Sequence, residues 1–409
     1  PVFARLLAPL IRAVPPGPEA LVWWLALVMS AGITAVLPIL PLYAEAQGAD
    51  VHFIGWMVGA YMATNLLALY PAGWLSDRVG RRTLMGIGLV AFGLASAGFL
   101  VFKDPWAFVV LRGIEGVAGA CFVPAALAYV ADRAPEAVRG TRIAQLTVAQ
   151  NVGLLLGPVF GGALAMTFGL GSPFLVLAAL CVLGGLLVAR LPEVAPVRHR
   201  DAPPLALKGQ VRWLLLGALA ARALTAGIGM GLYETAWPLY MKTLGATAWD
   251  VSMSWTLFAL PAVLLAVPAG RIIDRHGPVG PVVVGAFFSA AVTVGYAYVG
   301  GIEALLWLCV IEGIGFAFAY PALSTLNIQA GSQAVRGRII GIVTALGTLG
   351  ALVGALVMPG VYASDPKACF YLTAGCLFAG ALVMIVLLAL AGRQERRQGL
   401  VAPVAAGEA

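Results

Sequence analysis

Apolar residues fall in blocks of about 20 along this chain, separated by short polar stretches rich in arginine, glycine and proline. Blocks of that length cross a hydrocarbon layer of roughly 30 Å as helices. Twelve spans are predicted, at 21–43, 54–74, 83–102, 106–131, 143–166, 173–191, 213–241, 252–270, 278–299, 303–326, 339–361 and 368–391. The one long polar connector, 192–212, carries Pro192, Pro196, Pro203 and Pro204, which discourage helix. It separates a first half, 1–191, from a second half, 213–391, and residues 392–409 are expected to form a disordered tail. The expected fold class is an all-α polytopic membrane protein with two six-helix halves.

The halves read as copies of one another at an offset of 197 residues. Pro41-Leu42-Tyr43 recurs as Pro238-Leu239-Tyr240, Gly48-Ala49 as Gly245-Ala246, and Glu115-Gly116 as Glu312-Gly313. Pro124-Ala125 recurs as Pro321-Ala322, Ala137-Val138-Arg139-Gly140 as Ala334-Val335-Arg336-Gly337, and Gly153 and Gly157 as Gly350 and Gly354. One constant offset over so long a stretch marks an internal duplication.

Composition agrees with the pattern. The chain is 61% hydrophobic and 11% charged with a mean hydropathy of +0.95, whereas soluble domains carry roughly 25% charged residues. A net charge of +7 would suit nucleic acid, but the positions of the charges exclude that reading. Of the 25 lysines and arginines, only Lys103, Lys242 and Lys367 fall on one side of the spans, and Arg112 and Arg222 lie inside them. The rest share the other side, which places both termini and the central connector in the cytoplasm. Residues 1–18 hold Arg5 and Arg12 but no long apolar core, so no cleavable signal peptide is expected. The chain begins at Pro1 and not Met, so its natural start is expected to lie upstream. Abundant Arg, Ala and Gly suggest a bacterial source and hence the inner membrane. Cys121, Cys181, Cys309, Cys369 and Cys376 show no ligand spacing and are read as small core residues.

Between the second and third spans lies Pro71-Ala72-Gly73-Trp74-Leu75-Ser76-Asp77-Arg78-Val79-Gly80-Arg81-Arg82, with a second copy at Pro268-Ala269-Gly270-Arg271-Ile272-Ile273-Asp274-Arg275-His276-Gly277. The first copy resembles the loop signature G-x-L-x-D-R-x-G-R-R of the major facilitator superfamily of secondary transporters. Gly73, Leu75, Asp77, Arg78, Gly80, Arg81 and Arg82 fill every fixed place. The second keeps Gly270, Asp274, Arg275 and Gly277 but has Pro278 where Arg81 would fall. The resemblance implies that Asp77 and Arg78 are the centre of a cytoplasmic latch. It also implies a cavity between spans 1, 2, 4, 5 and 7, 8, 10, 11, with spans 3, 6, 9 and 12 towards lipid. Span 5 contains Gly153, Gly157, Pro158, Gly161 and Gly162, which resembles the antiporter signature G-x-x-x-G-P-x-x-G-G of the exporter branch. An earlier glycine of that pattern falls on Ala144, and Ala355 stands at the place of the proline in the second half. Pro158 would bend the helix and the glycines would admit a close neighbour.

Charge inside a membrane is a functional hypothesis by default. Arg112 and Glu115 stand three apart and so share a helix face. Arg112-x-x-Glu115-Gly116 resembles the family's fourth-helix motif, in which the arginine is associated with proton coupling, with Glu115 replacing a usual glutamine. Arg112 favours the ionised form of Glu115, while removal from water favours the neutral acid, a balance suited to a proton carrier. A permanent neutral pair is the alternative. Glu312 occupies the equivalent place in span 10, but Cys309 stands where its arginine would be, so it is expected to be unpaired and a proton site. Glu234, where Leu37 sits in the first half, is a candidate for the proton or for a polar substrate group. Arg222 either binds substrate or snorkels towards the cytoplasm. Asn65, Gln150, Asn151, Tyr233, Trp237, Tyr320 and Asn327 are further candidates for lining the cavity, or bridge helices. Tyr43 and Tyr240 could line the route or anchor span ends.

The expected function is a proton-coupled antiporter that exports a small amphipathic or lipophilic solute by alternating access. A lipid or glycolipid flippase is the first alternative, and a symporter of sugars or organic anions, held by Arg112 and Arg222, the second. Neither a nucleotide loop, a metal cluster nor a catalytic set is present in the sequence, so no cofactor and no enzymatic activity are expected. The partners are solute, protons and membrane lipid, and a monomer suffices for this fold.

Overall fold

The computed structural model describes residues 14–193, 211–332 and 335–397. Most of the predicted connector lies outside these residues. So do Arg5, Arg12, Arg198, Arg200, Lys208, Ala334 and the predicted tail beyond Arg397. Helix continues to Arg397, past the predicted start of the tail at 392, because Ala368–Arg397 contains neither proline nor an interrupting turn.

The first half runs α1 Glu19–Val36, α2 Leu40–Ala46, α3 Val51–Val79, α4 Arg81–Val101, α5 Pro105–Arg133, α6 Arg139–Phe168 and α7 Ser172–Val188. The second runs α8 Trp213–Thr243, α9 Ala248–Leu264, α10 Ala266–His276, α11 Val279–Tyr296, α12 Ile302–Gln329, α13 Arg336–Ser364 and α14 Ala368–Arg397. Ten of these helices are long and apolar enough to cross a membrane, an eleventh span is the bent pair α9–α10, and α7 has 17 residues. Every predicted span therefore coincides with helix.

Two spans are broken where proline removes a backbone donor. Span 1 was expected to be continuous. It divides at residues 37–39, around Pro38 and ahead of Pro41. Span 8 bends by 55° at Leu265, between Pro261 and Pro268. Its counterpart α3 keeps only the second of these prolines, as Pro71, and has Thr64 where Pro261 stands. Thr64 donates to the Gly113 carbonyl at 2.8 Å and Asn65 to the Gly116 carbonyl at 3.0 Å, tying α3 to α5. Helix starts are also duplicated. The Asp50 side chain accepts the Phe53 amide of α3, and Thr247 with Asp250 forms a capping box on α9.

Helix α6 packs on α1, and α13 on α8, through glycine. A Cβ at Gly153, Gly157 or Gly161 would strike the backbone of α1 at Leu27, Ala31 or Ala35, and Gly350 and Gly354 meet Leu224 and Ile228 in the same way. Backbone-to-backbone approach of this kind holds helices together where the hydrophobic effect cannot act. Gly162 turns the other way, against Ser252 and Trp249 of the second half.

Among the described residues, the halves meet at the end bearing Glu45 and Lys242. Gly55 and Gly59 of α3 abut Ala355, Leu356 and Pro359 of α13, and α6 abuts α9. Lys242 pairs with Glu45 across the interface at 2.7 Å, and the two positions are themselves 197 residues apart. One apolar core runs through both halves at this end. At the arginine-rich end the second half has a core of its own, built on Leu215, Leu219, Ile273, Leu326 and Ile339. There Gly73, Gly140, Gly270 and Gly337 face open space. The molecule is open towards the arginine-rich end.

Gly157→Ala should cost about 1–3 kcal/mol by overpacking α6 on α1, and Gly140→Ala, with open space around it, should stay within about 0.5 kcal/mol of wild type. Thermal unfolding of the purified protein in one detergent compares the two; equal melting temperatures would contradict the packing role.

Candidate functional site

In the first half, Arg112 and Glu115 are both almost wholly buried in α5. The guanidinium Nη1 reaches Glu115 Oε2 at 2.8 Å, and Ser96 of α4 donates to Glu115 Oε1 at 2.8 Å. The guanidinium also lies over the Tyr61 ring of α3, 4.3 Å from its centre, an arrangement that favours a cation. Glu234 of α8 is buried on the other side of the interface and lies within electrostatic reach of Arg112. Among the described residues no donor bonds its carboxylate.

Glu312 has a different environment. Among the described residues it has no arginine partner, as Cys309 led one to expect, and hydroxyls stand in place of a cation. Tyr233 donates to both carboxylate oxygens at 3.0 Å, Tyr296 to Oε2 at 2.8 Å and Ser289 to Oε1 at 3.2 Å. Every one of these donors is also able to accept. A proton arriving on Glu312 therefore needs only one hydroxyl to turn from donor to acceptor.

Glu312 lines a cavity of about 320 Å³ enclosed by α8, α9, α11, α12 and α14, a size suited to a small organic molecule. Tyr233 and Trp237 line it from α8, Trp255 and Phe258 from α9, and Phe316 from α12. Trp237 is fixed by its indole N–H, which donates to Ser254 at 3.0 Å. Arg222 stands at the other end of the α8 stripe, with Nη1 buried and unpartnered.

The remaining candidates scatter. Asn65 bridges α3 and α5 and does not line this cavity. Gln150 and Asn151 lie on α6 in the other half. Tyr320 is largely exposed and stacks on Phe316 with ring centres 5.1 Å apart. Asn327 has a buried Oδ1 without a partner, far along α12 from Glu312. Tyr43 and Tyr240 are core residues at equivalent positions, donating to the carbonyls of Phe99 and Tyr296. Sequence reasoning missed Ser96, Ser289 and Tyr296 because it assigned spans 3 and 9 to lipid. Their signal was present in part: Ser289 and Tyr296 stand seven apart and share a helix face.

The stretch 73–82, expected as a loop, is helical except at Gly80, and among the described residues its polar contacts are with the first half and with Glu193 at the start of the connector. Asp77 pairs with Arg81, which also reaches Asp132 at 3.2 Å, and Arg82 binds Glu193 at 2.8 Å. The Arg78 guanidinium lies 3.7 Å over the Trp74 ring. Gly80 takes a φ of +96° and its counterpart Gly277 +79°, which only glycine adopts cheaply. Asp274 and Arg275 of the second copy are exposed, and no ion pair joins them to a neighbour among the described residues.

A model of the Major Facilitator Superfamily matches residues 22–326 and again 219–406. The chain belongs to the major facilitator superfamily. It is 28% identical to the Multidrug resistance protein MdtG of Escherichia coli (strain K12 / DH10B) over 387 residues, 88% of this chain and 92% of that one. Among solved structures, a D-xylose-proton symporter superposes with a TM-score of 0.73 at 18% identity, covering 90% of this chain and 96% of its own. The human organic anion transporter MFSD10 superposes at 0.63 and 21% identity, over 91% and 99%. These likenesses establish the shared superfamily fold.

The buried pair of this facilitator gives a direct test. Glu115→Gln, which leaves the Arg112 charge uncompensated, should destabilise by about 3–5 kcal/mol, while Arg112→Met together with Glu115→Gln should recover most of that loss. Melting temperatures of the two single variants and the double variant measure the coupling; additive losses would show that the pair does not act as a unit.

Proposed function

We propose that this chain is a proton-coupled antiporter that exports small amphipathic or lipophilic solutes from a bacterial cytoplasm across the inner membrane. The observation that carries the reading is Glu312, a carboxylate with no cation, held by three hydroxyl donors on the wall of a solute-sized cavity. Proton and solute can then compete through one group. A proton taken up there reorients the hydroxyls of Tyr233, Tyr296 and Ser289, and all three of these residues line the solute's bed. Arg112 and Glu115 form a fixed charge pair against which Glu234 of the opposite half moves as the halves rock. The name of the multidrug relative supports export, and the glycine and proline pattern of α6 agrees with it.

Orientation follows from the arginines: the end bearing Asp77 and both termini face the cytoplasm. The opening described above is then an inward-facing state, with Glu45 and Lys242 closing the outer end. Asp77, half-exposed and held only within its own half, is free to meet the second half when the cytoplasmic end closes. Chemistry on the solute is not required at any step, and the energy comes from the proton gradient.

The test is solute-driven proton movement in proteoliposomes loaded with a pH-sensitive dye, using a series of naphthalene derivatives of different charge as solutes. Glu312→Gln should lower proton flux by about tenfold or more while solute binding persists; solute transfer without proton movement in the wild type would overturn the proposal. Asp77→Asn in the same vesicles should slow exchange with solute affinity unchanged, and an unaltered exchange rate would remove the loop as a latch.

A further inference from the structure

The residues of α8 that line the cavity are Arg222, Ala226, Gly229 with its neighbour Met230, Tyr233 and Trp237, about one helical turn apart. They form one stripe on one face of the helix. Arg222 and Tyr233 are 11 residues apart on it, about 16 Å at 1.5 Å per residue. The two ends of the stripe differ in chemistry. At one end Glu312 already receives its hydroxyl donors. At the other end a guanidinium lines the cavity without a carboxylate beside it, and its Nη1 is buried without an acceptor. A second donor without a partner, the indole Nε1–H of Trp255, belongs to the same cavity wall. No unsatisfied acceptor is found among the cavity-lining residues described.

A guanidinium with one nitrogen buried and no carboxylate beside it is costly to keep, and a counter-charge brought by a ligand offsets that cost. The neighbours of Arg222 along the wall are Ala226, Met230 and Leu377, which offer none. Arg222 is half-buried: its Nη1 is shut away on the cavity wall, while the rest of the head group keeps contact with solvent. Between the two ends the walls are flat and aromatic: Trp237, Trp255, Phe258 and Phe316. The duplication sharpens the contrast, because the position equivalent to Arg222 in the first half is the buried Leu25.

We propose that this cavity binds an amphipathic organic anion. A single carboxylate, sulfonate or phosphate group sits against Arg222, and a flat apolar body lies between the aromatic walls towards Glu312. The assignment rests on the transport reading above and names the charge of its solute. The cavity's volume of about 320 Å³ suits a compact ring system. A cation has aromatic faces to meet but finds Glu312 already hydrogen-bonded and Arg222 repelling it.

Equilibrium binding tests this without any gradient, so failure of proton coupling and failure of anion recognition give separate signatures. Calorimetry on the full chain in nanodiscs would compare 2-naphthalenesulfonate, 2-naphthalenemethanol and 2-naphthylmethylammonium, which share one ring and differ in charge. The sulfonate should bind the wild type about tenfold or more tightly than the alcohol, and the ammonium weakest. Arg222→Gln should erase that preference while alcohol binding persists, and Arg222→Lys should restore part of it. Equal affinities in the wild type, tighter binding of the ammonium, no detectable sulfonate binding, or a preference that survives Arg222→Gln would each overturn the proposal. A long-chain lysophosphatidate tested alongside separates a lipid source of the anion from a compact one: binding tighter than the sulfonate would overturn the compact occupant.

Discussion

Keeping a carboxylate out of water is the constraint on which this molecule's chemistry turns. Duplication placed one at the same point of each half, Glu115 and Glu312. In the first half the charge is offset by Arg112 and one serine hydroxyl. In the second, Cys309 stands in the arginine's place and the offset comes from three hydroxyls. Their first-half counterparts are Val36, Phe92 and Phe99, which carry none. The same backbone position thus became an ion pair in one copy and a hydroxyl-held acid in the other. An ion pair resists a change of charge, because removing either partner strands the other. Hydroxyls accept either state, since each can reverse its role. That difference is why the proposed mechanism gives the proton to Glu312 and not to Glu115.

The scaffold around these groups is nearly indifferent to them. It rests on glycine contacts between α6 and α1 and between α13 and α8, which bring backbones together without relying on apolar side chains that lipid would solvate equally well. The halves have two ends at which to touch, and here they share a core at the end bearing Glu45 and Lys242. Because those residues are duplicates of one another, the ion pair sits close to the pseudo-symmetry axis, where one contact joins both halves evenly. The stretch 73–82 meanwhile spends its charges on the first half and on Glu193.

Much of the site was visible as single residues and little of it as an arrangement. Arg112, Glu115, Glu234 and Glu312 stood out because charge is rare in apolar spans, and the helical spacing of the first two foretold their contact. Ser289 and Tyr296 did not stand out, being uncharged residues in a helix expected to face lipid. Asn65 was visible as polar but turned out to tie α3 to α5. The break in span 1 and the bend in span 8 were carried by prolines in plain view, yet proline tolerates several outcomes in a membrane helix and the neighbouring helices decide among them.

By itself, the sequence determined the spans, the duplication, the gathering of the arginines at one end of the spans and the family. All of these depend on composition along the membrane normal or on local order, which a one-dimensional pattern records. Only the tertiary structure decided which hydroxyls reach Glu312, that Arg222 and Glu312 share one cavity, and which end of the molecule is open. Those facts concern rotation about the normal and the lateral choice of neighbour. A helix that is apolar on nearly every side carries no strong signal for either, and contacts between distant spans cost the chain nothing that its local pattern must reveal.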